Sequence, residues 1–233
     1  MISKLWTKIC GIRDVETALL ASRSGADAIG LNFYAPSPRS ISVKTAAGIV
    51  KNLPASTRGV GLFVNHSVDE IETILNATRI GIVQLHGDET PDFLAQLIQL
   101  DPRPELIWAR RVTVEAIPSL GTQFDRCREL GVTLKACLLD ARVAGEFGGT
   151  GRTLPWNEIA EVYDRAHWPP LILAGGLTPD NVSQAIETVR PWGIDTASGV
   201  ESEPGVKDAQ LIERFLKAAR QAGHHNPSSG PSP

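Results

Sequence analysis

The chain has 233 residues, within the roughly 200–250 at which an α/β barrel forms a single domain. Its 42% hydrophobic and 21% charged residues are ordinary for a globular protein, and a formal charge of −3 gives no electrostatic basis for binding nucleic acid or an anionic membrane. No apolar run reaches the ~18 residues of a spanning helix, no signal peptide opens the chain, and Cys10, Cys127 and Cys137 lack CxxC spacing, which argues against a disulfide framework or zinc site and for a cytoplasmic protein.

Eight short apolar runs recur along the chain: Leu5–Ile9, Asp27–Phe33, Gly59–Val64, Ile80–Leu85, Glu105–Ala109, Leu134–Leu139, Leu171–Ala174 and Gly193–Thr196. Near-continuous hydrophobicity, rather than alternation, marks strands buried on both faces. Helical spacing fills the intervals. Asp14–Ser24 begins on an acidic cap and stops at Gly25; Ser67 with Glu70 forms a capping box ahead of the next helix. Thr178-Pro179 predicts a capped helix start, and Val206–Ala222 carries Leu211, Phe215 and Ala218 on one stripe. Thr113–Leu130 is the weakest helix, interrupted by Pro118 and Gly121. Alternation of this kind predicts a single (β/α)8 TIM barrel over residues 1–222, with a doubly wound open sheet as the alternative. Residues 223–233 are rich in Pro, Ser and Gly and are expected to form a disordered tail.

Barrel chemistry sits at the C-terminal ends of the strands. Gly175-Gly176 after the seventh strand and Ser198-Gly199 after the eighth could serve tight turns. Small residues at both neighbouring ends favour a phosphate held by backbone amides, and Asp195 belongs to the same strand end. Lys8 and Cys10 alternate onto one face of the first strand, where an ammonium would favour a reactive thiolate; packing is the competing role for Cys10. Asp140 ends the run LKACLLD, as an acid raised in pKa by burial or as a cap. Arg39, among prolines, suits a carboxylate or a solvated loop. His86 could meet a substrate or satisfy a backbone carbonyl. The GGTGR stretch, Gly148–Arg152, lacks the GK[ST] ending of a nucleotide P-loop and is expected to form a loop over the mouth.

Together, KICGI (Lys8–Ile12), ADAIGLNFYAPSPRSIS (Ala26–Ser42), VQLHGDE (Val83–Glu89), LLDA (Leu138–Ala141), LILAGGLTPDNV (Leu171–Val182) and GIDTASGVESEPGVKD (Gly193–Asp208) resemble the phosphoribosylanthranilate isomerases. The similarity runs in order from Lys8 to about Phe215. It implies a (β/α)8 barrel performing an Amadori rearrangement in tryptophan biosynthesis. It also implies Cys10 as general base, Asp140 as general acid, Arg39 on the anthranilate carboxylate and the glycines of AGG on the phosphate. Lys8 and His86 are expected to contact substrate, and Asp195, Ser198 and Gly199 to join the phosphate site. Four positions depart from the family pattern: Ala197 in place of a common serine, Arg152 in place of lysine, and Leu154-Pro155 in place of phenylalanine-aspartate. The reaction implied needs no metal, redox step or organic cofactor. The expected partner is a small phosphorylated substrate, with neither nucleic acid nor membrane, and the expected assembly is a monomer or homodimer. The competing readings are a histidine-pathway aminoaldose isomerase, whose chemistry typically uses two aspartates, and a catalytically silent phosphate-binding barrel.

Overall fold

Eight apolar runs pair in chain order into a closed parallel barrel: β1 (Trp6–Cys10), β2 (Ala28–Asn32), β3 (Arg58–Phe63), β4 (Ile82–Leu85), β5 (Glu105–Arg110), β6 (Leu134–Asp140), β7 (Leu171–Ala174) and β8 (Gly193–Thr196). β8 hydrogen-bonds back to β1, so the sheet is closed and not an open doubly wound one. A computed structural model describes residues 4–111, 113–140 and 156–224. The Gly148–Arg152 loop, the Leu154-Pro155 position and the tail from residue 225 lie outside the described residues.

Strand alternation sorts side chains between two cores. Ala28, Val60, Ile82, Ile107, Ala136, Leu138, Ile172 and Ala174 fill the barrel interior, with Trp6 and Trp192 stacked beside them at a centroid distance of 5.3 Å. The intervening residues, among them Ile9, Ile29, Leu31, Val83, Trp108, Leu173 and Ile194, pack outward against the helices. Trp6, Lys8 and Cys10 share the inward parity of β1, as Ala136, Leu138 and Asp140 share that of β6. The filled interior therefore grades from tryptophan and aliphatic layers into polar groups at the C-terminal rim.

The helices are α1 (Val15–Arg23), α2 (Val43–Asn52), α3 (Val68–Thr78), α4 (Pro91–Leu97), α5 (Leu120–Glu129), α6 (Trp156–Val162), α7 (Val182–Val189) and α8 (Ala209–His224). Asp14 caps α1, and Ser67 and Glu70 complete the expected capping box of α3. Three expectations shift. After β7 the chain turns through Thr178–Asp180 and helix starts only at Val182, because the Asn181 side chain bonds back to the Thr178 amide and the Gly176 carbonyl. The weak Thr113–Leu130 helix divides into a 3-10 turn, Val114–Ser119, that contains Pro118, followed by α5. Val206-Lys207 (β10) is not helical but pairs antiparallel with β9 (Glu201–Glu203), and Asp208 accepts from the Leu211 amide where α8 begins. The buried face of α8 centres on Ile212, Phe215, Leu216, Ala219 and Ala222, leaving Leu211 and Ala218 at its margin. α8 packs on α1 and α7, closing the outer ring, and runs through His224, two residues past the expected domain limit.

Phe215 is fully buried in that outer core. Phe215→Ala should destabilise the fold by about 3–5 kcal/mol, read from the midpoint of chemical denaturation. A loss below about 1 kcal/mol would mean that α8 contributes little to the core.

Candidate active site

The register of β8 on β1 sets Lys8 opposite Asp195, and Lys8 Nζ donates to Asp195 Oδ1 at 2.7 Å. Lys8 is fully buried and is not among the residues that line the cavity. Burial opposes its charge, yet Asp195 and the Cys10 sulfur outweigh burial and hold the ammonium above the ordinary lysine range. Cys10 is opposite Gly30 in the β1–β2 register, and a Cβ on Gly30 would stand 2.6 Å from Sγ, so the glycine gives the sulfur its space. Burial pushes the Cys10 thiol up; Lys8 and Lys207 pull it down, Asp195 adds to the rise, and the net direction is upward. Cys127 and Cys137 are buried elsewhere, and burial pushes them up to about 11 and about 12, as inert packing residues.

Asp140 ends β6 on the inward parity and is buried. Its Oδ2 stands 3.8 Å from His86 Nε2 and 3.7 Å from Arg111 Nε. Gln84, two residues before His86 on the same strand face, reaches its Nδ1 at 3.4 Å. The carboxyl therefore sits beside an imidazole and a guanidinium.

Arg39 is held from several directions. Asn32 donates to Ser37 Oγ, which accepts from the Arg39 amide. The Arg39 stem lies across Gly11, whose φ is +77° and where a Cβ would come within 2.6 Å of Arg39 Cδ. The guanidinium gives Nε and Nη2 to the two carboxylate oxygens of Glu201 at 2.8 and 2.7 Å, which leaves Nη1 for a ligand. Glu201 is also paired with Lys207 at 2.7 Å.

At the β7 and β8 ends, Gly175 and Gly176 have successive positive φ values of 89° and 68°, a backbone that side chains rarely adopt. Both line the cavity, as does the exposed Ser198. Gly199 does not; a Cβ there would collide with the Leu177 carbonyl, which also accepts from Thr196 Oγ1 at 2.7 Å. No side chain fits there between the two loops. Asp195 lines the cavity, but its carboxylate can only accept hydrogen bonds and is committed to Lys8, which suits electrostatic support better than direct contact with a phosphate.

These elements enclose one cavity of about 310 Å³, onto which Cys10, Asp140, Arg39, His86, Gly175, Gly176 and Ser198 all open. Sequence reading missed Asn32, Gln84, Arg111, Glu201 and Lys207. The inward parity of Asn32 and Gln84 on otherwise apolar strands is a signal that could have found two of them. A filled parallel barrel whose open end carries a thiol, a carboxyl and a guanidinium around one small-molecule cavity has the architecture of a (β/α)8 enzyme.

A sequence model of N-(5′-phosphoribosyl)anthranilate (PRA) isomerase matches residues 7–218. N-(5′-phosphoribosyl)anthranilate isomerase of Trichlorobacter lovleyi is 42% identical over 215 residues, 92% of this chain and 98% of that protein. The crystal structure of phosphoribosyl anthranilate isomerase from Thermotoga maritima superposes with a TM-score of 0.78 at 36% identity, covering 93% of this chain and 99% of that one. A phosphoribosyl anthranilate isomerase in complex with reduced 1-(o-carboxyphenylamino)-1-deoxyribulose 5-phosphate gives 0.76 at 34% identity, with the same coverage. The chain belongs to the phosphoribosylanthranilate isomerase family.

Three outcomes follow from the geometry around Cys10 and Arg39. Because its thiol is shifted upward, thiolate absorbance and alkylation assigned to Cys10 by difference from Cys10→Ser should grow only as pH passes the ordinary thiol range. Lys8→Met, which removes the nearest positive charge, should move that titration higher still; an unchanged titration would show that Lys8 does not govern the sulfur. Gly11→Ala, strained in backbone and colliding with Arg39, should raise KM at least as much as it lowers kcat in steady-state kinetics.

Proposed function

We propose that this chain carries out the Amadori rearrangement of N-(5′-phosphoribosyl)anthranilate to 1-(2-carboxyphenylamino)-1-deoxyribulose 5-phosphate in L-tryptophan biosynthesis, with Cys10 as general base and Asp140 as general acid. The observation that carries the assignment is the convergence of Cys10 and Asp140 on one cavity bordered by Arg39 and the Gly175-Gly176 turn. Family membership supplies the substrate.

Ring opening requires a proton on the ribose ring oxygen as the C1′–O bond breaks. Asp140 donates it while the anthranilate nitrogen lone pair forms the C1′=N bond. The resulting Schiff-base cation acidifies the C2′ hydrogen. Cys10 thiolate removes that proton, the C2′–H electrons form the C1′=C2′ bond, and the C=N electrons return to nitrogen as an enolamine. Tautomerisation to the ketone completes an isomerisation with no net redox change.

Burial disfavours the thiolate, yet the base is required only after the cationic Schiff base has formed. That positive charge, added to those of Lys8 and Lys207, favours the thiolate at the stage that uses it. Arg39 Nη1 receives the anthranilate carboxylate, while the amides at Gly175 and Gly176 and the Ser198 hydroxyl receive the phosphate. With Ala197 at the position often held by serine, that loop supplies one side-chain hydroxyl fewer.

The partner in this reading is the small phosphorylated substrate. Among the described residues no helix is long and apolar enough to cross a membrane. The cytoplasm is the compartment we infer, supported by three cysteines that are all unpaired. Every residue named in the mechanism comes from one chain, which accommodates either a monomer or a homodimer.

A fluorescence assay following loss of phosphoribosylanthranilate tests the assignment. Cys10→Ala and Asp140→Asn should each lower kcat by at least ~10²-fold. Near-full turnover in both would overturn the roles. Arg39→Ala should chiefly raise KM, because its partner carboxylate is already charged in the ground state.

A further inference from the structure

A bidentate arginine–carboxylate pair that borders a ligand cavity has two possible purposes: it stitches loops together, or it aims the arginine. Arg39 follows β2, whereas Glu201 and Lys207 lie in the β9–β10 hairpin after β8, so the pair spans 162 residues of sequence. The side chains of Glu201 and Lys207 are each 3% exposed, against 22% for Arg39. The buried members face the protein, and the arginine faces the cavity.

Glu201 occupies both ends of its carboxylate on Arg39 and shares Oε1 with Lys207. Lys207 Nζ also donates to the Ala197 carbonyl at 2.8 Å, one residue before Ser198. A single run of charge-assisted hydrogen bonds therefore connects the guanidinium at one border of the cavity with the β8 loop at another. On Arg39 it uses one edge of the planar group and leaves Nη1, with the orientation of the plane fixed. Burial opposes the charge on Glu201, and the bonds from Arg39 and Lys207 outweigh it, keeping the carboxylate ionised.

We propose that Glu201, braced by Lys207, is a specificity-determining positioning residue: it aims Arg39 at the carboxylate of the substrate's aromatic amine and fixes the spacing between that site and the phosphate loop. This inference rests on the reading of Arg39 as the carboxylate-binding residue. It assigns selection for an ortho-carboxylated arylamine to a residue that does not itself touch the substrate.

The test compares two substrates, phosphoribosylanthranilate and the phosphoribosyl adduct of aniline, which lacks the carboxylate. Arg39→Ala calibrates the measurement by raising KM for the carboxylated substrate alone; if it fails to do so, the carboxylate role of Arg39 falls. Given that calibration, Glu201→Gln should raise KM for the carboxylated substrate about tenfold and leave KM for the aniline adduct and kcat for both within about twofold. Glu201→Asp keeps the charge beside Lys207 and the fold while withdrawing the carboxylate by one methylene, and should show the same selective change to a lesser degree. Equal changes on both substrates would mean that the cluster only stitches loops together. A fall in KM would mean that Glu201 competes with substrate for the guanidinium. Either result, or no change, overturns the proposal.

Discussion

The seam where β8 closes against β1 is the constraint on which the site depends. Its register puts Lys8 beside Asp195 and leaves Cys10 one inward step nearer the rim. An ammonium in a barrel interior is tolerable only with a carboxylate at hydrogen-bond distance, and breaking such a buried pair by removing one partner costs about 3–5 kcal/mol. The pair is thus a condition of the fold as well as a source of field at the sulfur. Had the sheet remained open, Lys8 and Asp195 would each need another partner.

The same economy governs the other charges of the site. Lys8, Arg39, Lys207 and Arg111 face Asp195, Glu201 and Asp140, four cations against three carboxylates. A ligand with a phosphate and a carboxylate meets a site whose cations are already oriented by protein anions, so little reorganisation accompanies binding. What distinguishes the ends is geometry: a guanidinium edge on one side, backbone amides on the other.

All eight strands were legible because burial on both faces leaves unbroken apolar runs such as LILA and GVGLF. The polar positions that interrupt the inward parity, Cys10 and Asp140, were legible for the same reason. Closure was a different matter. No local pattern near Lys8 announces Asp195, because their contact is made by register between the two ends of the chain. Glu201 and Lys207 were hidden likewise: the alternating stretch ESEPGVK reads locally as solvated surface and helix start, and only the β9–β10 hairpin turns it inward. The late start of α7 was illegible from Thr178-Pro179 because the Asn181 side chain competes with the helix for the preceding backbone. Gly11 and Gly30 show the converse, since each yields its meaning once the neighbour that would occupy its missing Cβ is known.

Because Lys8 and Asp195 are 187 positions apart, the carboxylate that holds Lys8 is made long after the strand bearing Cys10. At ribosomal rates of roughly 5–20 residues per second, the strand bearing Cys10 waits on the order of ten to forty seconds for it. A nascent or C-terminally truncated polypeptide that stops before the final strand exposes a lysine and a cysteine with neither counter-ion nor cavity. Lys8 therefore meets its carboxylate in the same event that makes the ring continuous.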